Sequence, residues 1–342
     1  MELIEQLTER ELDKLKTTHN RHELLKEDVM GWVVSIESEI LKATRNYFDS
    51  FGFKEVIVPH ITKATGSCEN IETLFHVDYF GQKSYLVQTG QLYLESLIPK
   101  LGKVFCIGPS FRAEPDIDGR HLTEFTLVEL EFPGNFEEVL VHTENIIYSI
   151  IQRVLHYKKT ELETSGVDTD FLGKIKLPFK RLSYTDAIET LKQIGITIEW
   201  GDDLKSTHEK KLVEHFGNNP LFITHFPEKI KFFNMKRNDS NPEVVNSADL
   251  ILPHSGEAVG AAEREHKHDK IYERLVNSTM FKLLQSKGGD IEDFQWYLEH
   301  TKKNGIPHAG CGIGLNRVTQ FILGIDDVRA STAFPMNKES LM

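Results

Sequence analysis

FRAEPDIDGRHLTEF, residues 111–125, places Arg112 and Glu114 two apart on what reads as the end of a β-strand, so both side chains share one face. A polar turn carrying Asp118 and Gly119 follows, and then Arg120, His121 and Phe125 on the returning strand. An arginine is permanently charged and offers forked donors to a phosphate or carboxylate. An aromatic beside it offers a flat stacking surface. The same residues would also suit a charged, solvent-facing hairpin, so the stretch needs support from elsewhere in the chain.

Two further stretches supply it. In GCGIGLNR, residues 310–317, glycines at 310, 312 and 314 strip one face of a strand of side chains, which lets a ligand approach the backbone. Arg317 then falls in the first turn of the next helix. The spacing is not that of a dinucleotide-binding glycine motif, and close helix–strand packing is the competing reading. In DLILPHSGEAVGAAER, residues 249–264, Asp249 and Glu257 lie near the ends of neighbouring strands, where oxygen ligands could hold Mg²⁺. An ordinary hairpin with surface acids is the alternative there.

Outward from these stretches, the chain alternates strands and helices. A helix is expected from about Asp28 to Ser50, and another over 137–157. FKEVIVPHI is β-rich, and Pro59 within it points to an edge or interface strand. TLFHV, KSYLVQT, KVFCIGPSFRAE and TEFTLVELEF, divided by the helix QLYLESLIPKL, predict an antiparallel sheet. ADLILP, EAVGAAERE and HAGCGIG should complete it. The fold expected is therefore α+β: a central antiparallel sheet flanked by helices. Residues 1–27 read as an N-terminal arm or helix and 28–342 as one domain, with 158–245 an insertion-like region inside it.

The 342 residues are 39% apolar and 27% charged, as in soluble globular proteins. No apolar run reaches the roughly 20 residues of a membrane helix, and the charged N-terminus lacks the apolar run of a secretory signal. A cytoplasmic location is expected. Cys68, Cys106 and Cys311 are dispersed and odd in number, which argues against a disulfide framework or a zinc site. The net charge of −12 gives no support for binding through a phosphate backbone.

Taken together, the three stretches resemble the second and third signature motifs of class II aminoacyl-tRNA synthetases and the metal-binding hairpin between them. RHLTEF marks the aspartyl/asparaginyl subgroup. The resemblance runs from Asn20-Arg21-His22 to Phe334-Pro335, through ETLFHVDYFG, QLYLE, PFKRLSYTDAI and WYLEHTKKNGIPHAG. It implies a homodimer with Pro59 at the interface. It also implies ATP as substrate, with Arg112 on the α-phosphate and the activated carboxylate. Glu114 would contact adenine, with Phe125 and Arg317 stacking on its two faces. His121 and Arg317 would meet the γ-phosphate, and Asp249 and Glu257 would hold Mg²⁺. Glu69, Gln91 and Glu129 would surround the α-amino group, and Arg264 would grip the side-chain carbonyl or carboxylate.

Within the subgroup, aspartate-using relatives carry a lysine in the QLYLE segment, where this chain has Leu94 and Glu95. A carboxylate there repels aspartate but accepts a hydrogen bond from an amide NH₂. Glu129, where aspartyl enzymes have Asp, points the same way, and asparagine is the expected substrate. The pattern departs from the family at several points. The family's anticodon-reading OB-fold does not appear in the chain. Glu69-Asn70-Ile71 stands for a Glu-Gly-Gly loop, Met336 for an arginine, and Asn316 for an acidic residue. These departures suggest a non-tRNA acceptor for the activated amino acid. An ammonia-dependent asparagine synthetase, a tRNA ligase and a non-catalytic amino-acid-binding paralogue are the competing functions.

Overall fold

A computed structural model describes residues 11–64 and 71–340. Cys68, Glu69 and Asn70 lie outside the described residues. The chain runs from a 3₁₀ turn at Glu11–Lys16 through α1 (Arg21–Leu24) and α2 (Asp28–Ser50) into β1 (Lys54–Glu55) and β2 (Ile61–Thr62). A 3₁₀ turn at Ile71–Thr73 leads to β3 (His76–Tyr79), β4 (Gln82–Leu86), α3 (Gln91–Leu101), β5 (Val104–Phe111) and β6 (Glu124–Phe132). Next come α4 (Phe136–Thr164), α5 (Thr169–Lys174), β7 (Lys180–Ser183), α6 (Tyr184–Gln193), α7 (Ser206–His215) and β8 (Leu221–Thr224). The last part holds β9 (Ser247–Leu252), β10 (Gly256–Arg264), α8 (His268–Asn277), α9 (Thr279–Ser286), α10 (Gln295–Asn304), β11 (His308–Gly314) and α11 (Leu315–Leu323).

Eight strands form the main sheet in the order β1-β5-β6-β11-β10-β9-β8-β7. Only the two edge pairs, β1/β5 and β7/β8, are parallel. Period-two alternation divides the sheet into an apolar and a polar face. On β6, Val128, Leu130 and Phe132 enter the main core, as do Ala309, Cys311 and Ile313 on β11 and Ala248, Leu250 and Leu252 on β9. Apolar residues of α2, α4 and α11 pack on that side. The intervening residues, among them Glu129, Glu131, Asp249 and Gly312, line a cavity on the other side. One face of the sheet thus supplies stability and the other supplies the site.

The architecture is the expected α+β fold with a largely antiparallel central sheet, and two details differ from the sequence-based expectation. TLFHV and KSYLVQT do not join the main sheet; β2, β4 and β3 form a separate three-stranded sheet. Residues 158–245 do more than flank the sheet, since β7 and β8 extend its edge beyond β9. Their apolar runs, buried throughout β8, are too short to announce themselves as sheet strands in sequence. Within the N-terminal stretch, the described residues from Glu11 onward pack against the rest of the fold. Leu12 and Leu15 are fully buried, each worth about 1.5–3 kcal/mol. Arg21, buried, donates to the carbonyls of Leu15 at 2.8 Å and Ala333 at 3.0 Å, tying the segment to the C-terminal part of the chain. Among the described residues no helix is long and apolar enough to cross a membrane.

Candidate active site

A cavity of about 350 Å³ opens on the polar face of the sheet. Gln91, Arg112, Glu114, His121, Phe125, Glu129, Asp249, Glu257, Arg264 and Arg317 all line it, although they come from positions spread over more than two hundred residues. Antiparallel pairing explains the gathering. β6 lies between β5 and β11, and β11 between β6 and β10, so the motif strands are direct neighbours.

At one end, β5 stops at Phe111, but the Arg112 N–H still donates to Thr123 O at 2.9 Å, which keeps the hairpin closed. The Arg112 guanidinium carbon lies 5.3 Å from the Phe125 ring centroid, a cation–π distance, and its Nε is buried with no acceptor among the described residues. In the turn, Asp118 accepts from the N–H groups of Arg120 and His121, both at 2.8 Å, and pairs with His121 Nδ1 at 2.8 Å. Burial alone would raise the Asp118 carboxyl, but these donors outweigh it and hold it below its ordinary value.

Arg317, in the first turn of α11, donates to Ser255 O and to Arg120 O, each at 2.6 Å. Burial, reinforced by the neighbouring Arg120 charge, pushes it down to about 10, so it stays a cation at neutral pH. Asn316 Oδ1 accepts from the Thr126 N–H at 3.1 Å. The amide oxygen therefore serves as the acceptor at this position without bringing a charge. Asp249 pairs with Lys231 Nζ at 2.8 Å. Asp249 and Glu257 both offer carboxylate oxygen, the donor type Mg²⁺ takes, with Asp249 already facing a cation.

At the other end, Arg264 donates through Nε and Nη2 to Glu131 Oε1, at 3.0 and 2.7 Å. Glu131 Oε2 is buried without a donor among the described residues. Gly310 has an unexpected role. A Cβ there would lie 2.1–2.3 Å from the Glu131 carboxyl group, so the bare backbone accommodates a protein side chain rather than a ligand. Gly312, by contrast, does face the cavity. Glu129 accepts from Gly90 N–H at 2.7 Å and from the Thr89 hydroxyl. Burial raises its carboxyl despite these donors.

Glu95 sits behind the cavity wall. Its Oε1 accepts from Gln91 Nε2 at 2.6 Å and its Oε2 from Tyr297 at 2.7 Å, with His308 Nε2 at 3.3 Å. Burial would raise Glu95, but the bond and charge of His308 hold it low; burial would lower His308, but Glu95 raises it. The charged pair is thus mutually sustained. Glu95 therefore faces protein donors, and the buried acceptor left open beside Arg264 belongs to Glu131. Sequence reasoning passed over Glu131, His308 and Tyr297. The signal for Glu131 was present, since it stands two residues after Glu129 on the same strand face.

An antiparallel sheet carrying one arginine after β5, a second at the start of the helix after β11 and paired acids on β9 and β10 defines the catalytic fold of a class II aminoacyl-tRNA synthetase. The family described as tRNA synthetases class II (D, K and N) matches residues 13–338, and the chain belongs to it. It is an ATP-dependent ligase of the amino-acid-activating kind, close to the asparaginyl-tRNA synthetases. It is 38% identical over 317 residues to the asparagine–tRNA ligase of Pelotomaculum thermopropionicum, covering 92% of this chain and 71% of that protein. It is 35% identical over 323 residues to that of Thermococcus gammatolerans, covering 94% and 72%. The crystal structure of Pyrococcus horikoshii asparaginyl-tRNA synthetase complexed with asparaginyl-adenylate superposes with a TM-score of 0.87 at 33% identity, covering 95% of this chain and 72% of that one.

Proposed function

We propose that the protein activates asparagine, joining its α-carboxylate to the α-phosphorus of ATP and releasing pyrophosphate. The observation that carries this reading is the open Oε2 of Glu131 beside Arg264. A side-chain amide presents a carbonyl oxygen and an NH₂; Arg264 supplies donors for the first and Glu131 an acceptor for the second. Aspartate presents two acceptors and would meet a second negative charge. Of three buried carboxyl groups, His308 holds Glu95 low while burial raises Glu129 and pushes Glu131 up to about 7, so Arg264 has acidic neighbours already and no surplus cation stands ready for aspartate. No lysine stands at Leu94 or Glu95 to change that balance.

In this reading the attacking carboxylate and the α-phosphate meet at Arg112, whose buried Nε lacks an acceptor among the described residues. Fixed donors aimed at the developing charge stabilise the transition state without reorganising during the reaction. Phe125 and Arg317 flank adenine, Glu114 contacts its edge, and His121 and Arg317 receive the γ-phosphate. Gln91 and Glu129 surround the substrate ammonium. Mg²⁺ held by Asp249 and Glu257 would neutralise phosphate charge as pyrophosphate departs. The reaction needs no protein nucleophile; in-line positioning supplies much of the acceleration. Ile57, 96% exposed two residues before Pro59, supports a homodimer through that segment.

The acceptor is proposed to be a nucleophile other than tRNA, such as a small amine. The support is the −12 net charge, which is unfavourable for a phosphate backbone. The names of the asparagine–tRNA ligase relatives favour tRNA as the second reading. ATP–pyrophosphate exchange with Mg²⁺, comparing asparagine with aspartate, tests activation, with Arg112→Ala as the blank. Exchange with asparagine alone supports the reading; exchange with aspartate alone moves it to an ammonia-dependent asparagine synthetase. Charging of tRNA-Asn by the same protein would end the case for a different acceptor.

A further inference from the structure

Glu209 belongs to none of the motifs above, yet it contacts Arg120 and Glu257, two residues that line the cavity. It is the fourth residue of α7, in the insertion-like region, and is 6% exposed. Its Oε2 accepts from the backbone N–H of Glu257 at 3.2 Å and lies 3.4 Å from Arg120 Nη2. Gly256 forms the seat for this pair. Its φ of +73° suits glycine, and a Cβ there would stand 2.8 Å from both Arg120 Nη2 and Glu209 Oε2. One carboxylate thus ties together the insertion helix, the turn after β5 and the start of β10.

A nearly buried carboxylate is a costly neighbour for a polyphosphate unless it orients groups that the phosphates need. Here it does. Arg120 is itself anchored through its carbonyl to Arg317. With its guanidinium also held by Glu209, this long side chain loses its rotamer freedom before any ligand arrives. The Glu257 backbone is fixed by the same oxygen.

We infer that Glu209 is a positioning residue for the phosphate end of ATP, holding Arg120 and the Glu257 main chain in their receiving arrangement. This rests on the activation reading given above. It differs from a merely structural ion pair in what it discriminates. A structural role affects all ligands alike, whereas a role at the β- and γ-phosphates affects ATP and spares AMP.

The test is calorimetric binding of ATP and of AMP, each with Mg²⁺, to the wild-type chain, Glu209→Ala and the isosteric Glu209→Gln. Loss of a charge-assisted hydrogen bond predicts about tenfold weaker ATP binding in Glu209→Ala. AMP affinity should stay within about twofold, because AMP lacks the β- and γ-phosphates that Arg120 and the Glu257 main chain would receive. Glu209→Gln keeps an acceptor for the Glu257 N–H and should recover part of the loss. Equal losses for ATP and AMP, or none, would overturn the inference. So would tighter ATP binding in Glu209→Ala, which would mean that Glu209 competes with phosphate for Arg120. If the wild-type chain binds ATP but shows no amino-acid-dependent exchange, the activation reading falls while the ATP-to-AMP comparison still decides the role of Glu209. If it binds no ATP, both fall.

Discussion

Arg264 directs Nε and Nη2 at the same oxygen of Glu131, at 3.0 and 2.7 Å, and leaves the other oxygen of that carboxylate buried and open. The arrangement is costly in an empty pocket and favourable only when a donor arrives. Glu131→Gln should invert it. The amide oxygen would keep Arg264, and the NH₂ would take the place of Oε2, donor facing donor. The expected result is a KM for asparagine raised about 10- to 100-fold, as loss of a hydrogen bond to a charged group predicts. The KM for ATP should hardly move. Pyrophosphate exchange at varied asparagine and ATP checks both, and an unchanged asparagine KM would assign the amide to another residue.

Gly310 gives an independent handle on the same carboxylate. The Cβ of Gly310→Ala would sit within 2.3 Å of the Glu131 carboxyl group, with the backbone of β11 pinned between β6 and β10. Either Glu131 leaves Arg264 or the strand shifts. Overpacking of this kind costs about 1–3 kcal/mol. Both a lower melting temperature and loss of asparagine-dependent exchange are expected, with ATP binding retained. A fully active variant would show that the Glu131 position is unimportant.

The sheet and most of the cavity were legible because their determinants are local. Alternation along TEFTLVELEF and HAGCGIG separates the core face from the site face, and the motif residues fall on the latter. What stayed hidden depends on long-range pairing. Glu95 reads as a pocket acceptor in QLYLE, but Tyr297 and His308, some two hundred residues away, claim it. Gly310 reads as an opening for a ligand until strand register sets it opposite Glu131. Glu209 lies on a short polar helix whose own sequence says nothing about Gly256. The small β2-β4-β3 sheet was likewise missed as a separate unit, because strand candidates in succession do not state which partner each one takes.

Glu95→Gln should be destabilising for a reason that is visible in pH. The replacement removes the anionic partner of His308 and brings an NH₂ among the donors of Gln91, Tyr297 and His308. Breaking a buried pair in this way costs about 3–5 kcal/mol. His308 is raised in the fold, so its contribution is complete below its ordinary value of 6.5 and fades as pH rises through the folded value. Glu95 is lowered, so its contribution is complete above its ordinary value of 4.5 and fades as pH falls through the folded value. The stability gap between wild type and variant should therefore be widest between pH 4.5 and 6.5. Urea midpoints across that range, extended to either side, test this; a gap independent of pH would mean that packing alone is lost.

His142 should give the opposite trend. It lies on α4, with Nδ1 2.8 Å from the Tyr47 hydroxyl and its ring edge-on to Phe51, Phe53 and Phe132. Burial in this aromatic nest, reinforced by the Lys103 charge, pushes it down to about 4. The fold therefore favours the neutral ring, while the unfolded chain takes up a proton near 6.5. Below 6.5 the unfolded state binds more protons, so stability falls as pH drops and the loss is complete near 4. A full shift of this size would be worth roughly 3 kcal/mol, and partial solvent access reduces that to about 1–2 kcal/mol. In His142→Gln this part of the acid slope should vanish, at a fixed cost from the lost ring packing. Urea midpoints at pH 7.5 and 4.5 for both proteins measure the difference. An equal slope in the two would mean that the imidazole ionises within the folded chain at little cost and that the acid sensitivity arises elsewhere.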